Sequence, residues 1–407
     1  MVLPKPSRLA PFSEPAPHYY VELDGLRGIA VLAVLGYHFG APFLTGGYLG
    51  VDVFFVISGF VVTRNLTRVL DEPRWVRHFY RRRAARLLPV LACFLLVLVP
   101  YWALTGRLDA DAGTAVLGSL AMSANVALSF FGAEPDGTSI LWSLAVEWHF
   151  YLLAPSLLLI ARHRLDPVTR ALTLVALAGA VAGARLWALT IGDIGAFDVY
   201  VASWFRLDGL LLGSAVALVP PLLFRDLQHA RVMALGVVGT VVAMMIGPAW
   251  GVRAPVTLGF VVPVVSLLVL GVVMSAVGRH ADRRARMAAH PAAGNVPVDW
   301  TTTTVLPRIA GPSGGLTALA LRTPALRWAG ERSYSLYLWH YGVGVLVVGR
   351  GSEAWQGWPV FVVQVALSLV AAELSYRHVE QPARRALNRG RRPAAHPAAG
   401  ATPGTAA

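Results

Sequence analysis

Apolar stretches long enough to cross a bilayer recur along the whole of this chain, and arginines gather between them. A hydrocarbon core about 30 Å thick needs roughly 20 consecutive apolar residues in helical form. Such stretches fall at about 23–41, 47–66, 86–105, 112–131, 140–161, 170–190, 202–222, 231–249, 256–278, 333–350 and 358–378. In lipid each backbone amide must be satisfied within its own segment, so these stretches are expected to be helices. Composition agrees. Of 407 residues 56% are hydrophobic and 14% charged, too little charge to cover a soluble protein of this size. The expected fold is an all-α polytopic membrane bundle.

The arginines decide how many stretches cross. The 64–86 connection carries Arg64, Arg68, Arg74, Arg77, Arg81, Arg82, Arg83 and Arg86. Arg162, Arg164 and Arg170 mark 162–170, and Arg279, Arg283, Arg284 and Arg286 open 279–332. The positive-inside rule puts these loops, and the tail from Arg377 onward, in the cytoplasm. The 132–139 loop has only Glu134 and Asp136, and 191–199 only Asp193 and Asp198. Three apolar stretches lie between the two basic loops 64–86 and 162–170, and three crossings would put those loops on opposite sides. The stretch at 112–131 is the most polar, with Thr114, Ser119, Ser123, Asn125 and Ser129. It is read as an interfacial or re-entrant helix on the outer side. About ten crossings remain, in the plasma membrane, with both termini cytoplasmic.

The net charge of +13 would suggest nucleic acid in a soluble protein. Here topology accounts for it, and no basic-aromatic nucleic-acid module is present. Cys93, the single cysteine, can form no internal disulfide and is read as a packing residue. Residues 1–20 form a cytoplasmic tail without a signal-peptide core, so the first span is expected to act as an uncleaved anchor. Residues 21–382 form the transmembrane domain. Within it, 281–330 reads as a partly disordered cytoplasmic linker, and 383–407 as a disordered cytoplasmic tail.

A few polar side chains interrupt the apolar spans, and these are the candidates for chemistry. Arg27 and His38 lie eleven residues apart on the first helix. Eleven steps of about 100° return to one face, roughly 16 Å further along the axis. A neutral imidazole suits a general base near pH 7, since its reference pKa is about 6.5. The other reading of His38 is a hydrogen-bonded packing residue. Asp52 opens the second span and is either a structural ion pair or the partner of a catalytic group. Ser58 and Gly59 read as close-packing residues. Ser143 and Glu147 are four residues apart and share a face. Glu147 is expected to orient an imidazole or bind a substrate hydroxyl. His149 reads as structural. The Arg82, Arg83 and Arg86 group is a topology signal, and its guanidinium forks also suit the phosphates of a nucleotide-bearing acyl donor. Arg206 and Asp208 look like a local pair at a helix start. Ser143, Tyr337 and His340 are expected to line the substrate path. No metal site is expected.

Six motifs in order give these residues a family. The first helix has arginine, ten residues, then histidine at Arg27 and His38. Gly-Val-Asp-Val-Phe-Phe-Val-Ile-Ser-Gly-Phe runs from Gly50 to Phe60. Arg82, Arg83, Arg86, Leu87 and Pro89 form Arg-Arg-x-x-Arg-Leu-x-Pro. Trp142 to Glu147 reads Trp-Ser-Leu-x-Val-Glu, Ser335 to His340 reads Ser-Leu-Tyr-Leu-Trp-His, and Glu380-Gln381-Pro382 closes the set. Over roughly residues 20–382 the chain resembles the acyltransferase 3 family of membrane-bound O-acyltransferases. The resemblance implies transfer of an acyl group, often acetyl from acetyl-CoA, to a hydroxyl of a sugar or related acceptor. It also implies that His38 is the catalytic residue, grouped with Arg27. Two positions depart from the family pattern. Trp148 stands where a second glutamate often follows, and Ile140 where a histidine commonly precedes the Trp-Ser-Leu motif. Some members carry a C-terminal hydrolase-like domain; here a second step is expected to need another protein.

The expected function is therefore O-acyl transfer from acyl-CoA to an envelope glycan. The alternatives are the same chemistry on a small secondary metabolite, such as a macrolide sugar, and a non-enzymatic transporter. Transport folds often show inverted repeats, and no repeat of fixed period is present. The expected partners are the bilayer, acyl-CoA as co-substrate, and a glycan or small-molecule hydroxyl acceptor, with no nucleic acid and no permanently bound cofactor.

Overall fold

The computed structural model describes residues 19–71, 74–133, 135, 137–224, 227–247, 251, 254–289, 315–349 and 355–388. Among these no strand occurs, and helices follow one another directly. They are α1 (Val21–His38), α2 (Gly50–Val69), α3 (Trp75–Leu104), α4 (Ala110–Leu120), α5 (Ala124–Phe131), α6 (Trp142–Arg162), α7 (Pro167–Thr190), α8 (Ala196–Val201), α9 (Asp208–Leu218) and α10 (His229–Met245). After a π-turn at Thr257–Val261 come α11 (Val262–Ala289), α12 (Gly315–Leu321), α13 (Pro324–Glu331), α14 (Ser333–Val348) and α15 (Trp358–Ser375). A second π-turn, Tyr376–Glu380, leads into α16 (Gln381–Asn388). Glu134 and Asp136, residues 1–18, residues 290–314 and the tail from 389 lie outside the described residues.

Among the described residues six helices are long and apolar enough to cross a membrane: Gly47–Val69, Trp75–Leu104, Ser139–Arg162, Pro167–Thr190, Thr257–Asp282 and Trp358–Ala386. This is a membrane protein. The other four expected spans fall on α1, which carries Glu22, Asp24 and Arg27 among its 18 residues, and on α9, α10 and α14, with 11, 17 and 16 residues. The polar 112–131 stretch is not one helix. It breaks at Ala121–Ser123, where Met122 has φ 55°, into helices of 11 and 8 residues. Neither reaches across about 30 Å of hydrocarbon. The long helices α7 and α15 leave apolar side chains such as Leu172, Trp187, Val362 and Val370 exposed, as lipid-facing helices do. Asp166 starts α7 by accepting from the Thr169 hydroxyl and from the backbone amides of Val168 (2.9 Å) and Thr169 (3.1 Å), which holds its carboxyl below the usual range.

Helix α1 is the axis of the bundle. Val31 and Val34 pack into one apolar core with α3, α6 and α14. Leu23, Leu26, Ala30 and Ala33 pack into a second core with α2, α10 and α11. Backbones meet at its glycines. A Cβ on Gly28 would lie 2.1 Å from the Leu326 carbonyl oxygen, and one on Gly330 would lie 1.8 Å from that of Asp24. The described part of the expected 281–330 linker is thus helical, and α12 and α13 are seated on α1. Glu22 fastens the same end, accepting from Arg279 of α11 (Nη2, 2.5 Å) and Arg322 after α12 (Nε, 2.9 Å). Helices α2 and α9 meet the same way, since a Cβ on Gly59 would lie 2.0 Å from the Leu210 carbonyl oxygen. Close approach through small residues replaces the hydrophobic drive that lipid removes.

Candidate active site

The sequence expectation that Arg27 and His38 share a face is met, because both reach α14. Arg27 donates from Nη2 to Ser333 Oγ at 2.6 Å, and His38 meets His340 at 3.1 Å. With roughly 16 Å between them along the axis, the two residues mark two polar levels of one seam.

The Arg27 level gathers charge. Asp24, one turn back, lies 3.5 Å from the Arg27 guanidinium. Arg86 and Glu147 are within electrostatic reach of Arg27, and Arg86 also faces Glu380, Tyr151 and Tyr334. Ser58 donates to Glu147 Oε1 at 2.5 Å, so this serine does more than pack. Glu380 is buried and accepts from Ser335 Oγ at 2.9 Å. Its motif was visible in the sequence, but only the π-turn shows it pointing inward; such turns recur at functional sites. The three arginines of the cluster divide. Arg82 is exposed, Arg83 is buried with its guanidinium 5.4 Å from the Phe79 ring and 5.0 Å from the Tyr151 ring, and Arg86 is half-buried toward the carboxylates. Phosphate oxygens entering here would meet guanidinium donors already held in place.

The His38 level is nearly neutral. Every hydrogen bond that His38 makes among the described residues runs through Nδ1, to the Val34 carbonyl oxygen at 3.0 Å and to His340 Nε2 at 3.1 Å. His340 is 0% exposed, and its Nδ1 lies 3.0 Å from the Leu336 carbonyl oxygen. The Tyr341 ring stands edge-on to His38 at 5.1 Å, and its hydroxyl accepts from Ser139 at 2.7 Å. Sequence reasoning missed Tyr341, which lies one residue beyond a motif. Ser143 and Tyr337 share a hydrogen bond at 2.7 Å, and Tyr337 lies 5.8 Å ring to ring from His340. Ser143, Tyr337 and His340, the three residues expected to line a path, therefore stand in sequence, and His340 alone of them meets His38.

Glu147 and Asp52 do not meet His38. Asp52 accepts from Arg206 Nη2 at 2.7 Å, and Asp208 pairs with Arg185 at 2.8 Å, all four side chains being buried. The guanidinium of Arg206 sits among Phe55, Trp142 and Tyr200, 5.3–5.9 Å from each ring. Arg206 and Asp208 thus take different partners instead of forming the local pair that their spacing suggested. His149 is structural in the expected sense. Its Nδ1 meets Ser203 Oγ at 2.7 Å, and Asn125 donates to the same oxygen at 2.9 Å, which ties α5 and α6 to the segment before α9. Among the described residues no group of three or more His, Cys, Asp or Glu side chains is placed to hold a metal ion.

A histidine pair, His340 buried and His38 half-buried, thus lies along α14 from an arginine–carboxylate level. The family described as "Acyltransferase domain" matches residues 20–377. The chain belongs to this acyltransferase family. The matched stretch runs from the turn before α1 into the second π-turn, so it takes in both levels of the seam except Glu380. The chain is 31% identical over 389 residues to an O-acetyltransferase, OatA, of Staphylococcus aureus, covering 91% of this chain and 58% of the relative. It is 30% identical over 381 residues to a putative peptidoglycan O-acetyltransferase, YrhL, of Bacillus subtilis, covering 90% and 55%. It is 27% identical over 389 residues to a peptidoglycan O-acetyltransferase of Listeria monocytogenes, covering 90% and 56%. The chain thus spans a little over half the length of these curated relatives. No solved structure matches it significantly.

Proposed function

We propose that this chain is an integral-membrane O-acyltransferase that moves an acetyl group from acetyl-CoA to a hydroxyl of an envelope glycan, peptidoglycan being the class its relatives are named for. The observation that carries the reading is the state of His38. Its Nδ1 is engaged, its Nε2 makes no hydrogen bond among the described residues, and it lies in the bundle on the face that also bears Arg27. Such a nitrogen is available to a substrate.

The reaction follows from that atom. His38 Nε2 takes the proton of the acceptor hydroxyl as the oxygen attacks the thioester carbonyl. The ester C–O bond forms, the C–S bond breaks, and the proton passes from Nε2 to the leaving thiolate. Arg83 and Arg86 hold donor phosphates at the cytoplasmic mouth, with exposed Arg82 as an outer contact. Arg27 and Glu147 align that level with the histidines, and Ser143 and Tyr337 line the way between. Asp52 serves the site indirectly, as counter-ion of Arg206 beneath Trp142. The bundle makes ten crossings with cytoplasmic termini, and 112–131 stays on the outer side as two short helices. Family membership supports transfer over transport, and the named relatives support a glycan over a small metabolite.

The test is transfer by the full chain in nanodiscs, with labelled acetyl-CoA and a soluble glycan oligosaccharide. A mass increase of one acetyl group on the oligosaccharide, dependent on protein, supports the reading. Labelled acetyl-CoA left intact under conditions where the protein is folded overturns it.

A further inference from the structure

The histidine pair has a proton arrangement fixed by its surroundings. A carbonyl oxygen only accepts. His340 Nδ1 lies 3.0 Å from the Leu336 carbonyl oxygen, so that nitrogen carries the hydrogen. A neutral imidazole has one N–H, which leaves His340 Nε2 as a bare lone pair. Opposite it, at 3.1 Å, stands His38 Nδ1, itself 3.0 Å from the Val34 carbonyl oxygen and therefore also the protonated nitrogen, its one hydrogen shared between the two acceptors. Any other assignment sets two lone pairs or two N–H groups against each other. His38 Nε2 is then the basic atom.

We propose that His340 is a positioning residue for acyl transfer: its Nε2 receives the His38 Nδ1–H and steadies the imidazolium that forms when His38 Nε2 takes the acceptor's proton. This rests on the reading of His38 as the base. In serine-hydrolase triads a carboxylate fills this place. Among the described residues no carboxylate is bonded to either histidine. Asp52 is bound to Arg206, Glu147 to Ser58 within the arginine level, and Glu380 to Ser335. A buried carboxylate beside a neutral imidazole would carry an uncompensated charge in the resting enzyme, whereas a second neutral imidazole carries none. Once His38 is charged, the bond to His340 becomes charge-assisted and strengthens. The support therefore grows in the transition state, which is where it accelerates the reaction. The proton itself stays on His38 and goes to the thiolate, so His340 neither gains nor loses one. The rings of Tyr337, Tyr341 and Phe39 hold the pair in register, the Phe39 ring lying 6.2 Å from His340.

Two variants separate this role from mere packing. His340→Leu removes the acceptor, and His340→Gln restores an oxygen near the position of Nε2. In nanodiscs, with acetyl-CoA and a glycan oligosaccharide, His340→Leu is expected to lower kcat on the order of 10²-fold with an unchanged KM for acetyl-CoA, and His340→Gln to recover most of that loss. ¹⁵N NMR of histidine-labelled parent protein should show His38 as the Nδ1–H tautomer, a measurement that needs no variant to fold. The inference is overturned by a parental rate in His340→Leu, by equal loss in a folded His340→Gln, by a loss expressed in KM instead of kcat, or by an Nε2–H tautomer at His38. Parental transfer by His38→Ala would sink the underlying base assignment. An inactive His38→Ala beside a fully active His340→Leu would sink the role of His340 alone.

Discussion

Replacing Arg206 by methionine should unfold much of this protein, and replacing Asp52 as well should restore it. The Arg206 guanidinium is 1% exposed and 2.7 Å from Asp52 Oδ1. At that separation, with an effective dielectric of about 20, the gross attraction is about 6 kcal/mol. Desolvation of both ions offsets most of it, so the pair itself contributes little net stability. Removing one partner is different, because Asp52 then loses its hydrogen-bonded counter-ion and must hold a charge or take up a proton in an apolar bundle. Breaking a buried pair this way costs about 3–5 kcal/mol, and loss of the guanidinium face against Trp142 and Tyr200 adds to it. Asp52→Leu in the Arg206→Met background removes the stranded carboxyl and should return most of the lost stability. The assay is unfolding in mild detergent followed by tryptophan fluorescence, with transfer measured in parallel. Asp52 touches neither His38 nor His340 in the hydrogen-bond network, so the double variant should keep transfer within about ten-fold of the parent. The reasoning fails if the double variant is as unstable as Arg206→Met alone. It fails in another way if the double variant is stable yet inactive, because Asp52 would then belong to the chemistry.

Three further outcomes are expected. Arg86→Gln should raise the acyl-CoA requirement at least ten-fold, since a hydrogen bond to a charged group contributes about 1.5–3 kcal/mol, while Arg82→Gln, at an exposed position, stays near the parent; equal effects in donor titrations would reduce the cluster to a topology signal. Gly330→Val should leave little folded protein on size-exclusion profiles, because even a Cβ there would lie 1.8 Å from the Asp24 carbonyl oxygen and the backbone must shift; a parental profile would show that α13 does not seat on α1 as described. Reporter fusions at residues 75 and 165 should both report cytoplasm, and opposite sides would restore an eleven-span topology.

Much of this architecture was legible because lipid imposes simple rules. Apolar length locates the long helices, and arginine placement between them fixes the expected sidedness. The 112–131 stretch was legible as too polar to be a span, but the break at Ala121–Ser123 that divides it into two helices was not. Helices α1, α9, α10 and α14 are harder. Each is short or charged enough to fall below what length and apolarity alone demand; α1 and α9 are enclosed by neighbouring helices, while α10 still exposes apolar side chains such as Leu235 and Val238. The 315–331 segment has no long apolar run, yet it folds onto α1 through glycine contacts that only a paired surface reveals. At the site, the helical period placed Arg27 and His38 on one face correctly. Pairing between distant segments carries no such period. Nothing in the sequence said that Arg206 would take Asp52 while Asp208 takes Arg185, or that His38 would lean on His340, 302 residues away.

The central claim is that His38 is the base. The direct measurement is the single-turnover rate of acetyl transfer by His38→Ala, purified in nanodiscs and matched to the parent in melting temperature. Loss of a general base costs about 10²–10⁴ in rate, so transfer should fall by that factor while binding of acetyl-CoA at the arginine level is preserved. A folded His38→Ala protein that transfers acetyl within a few-fold of the parent would contradict the account.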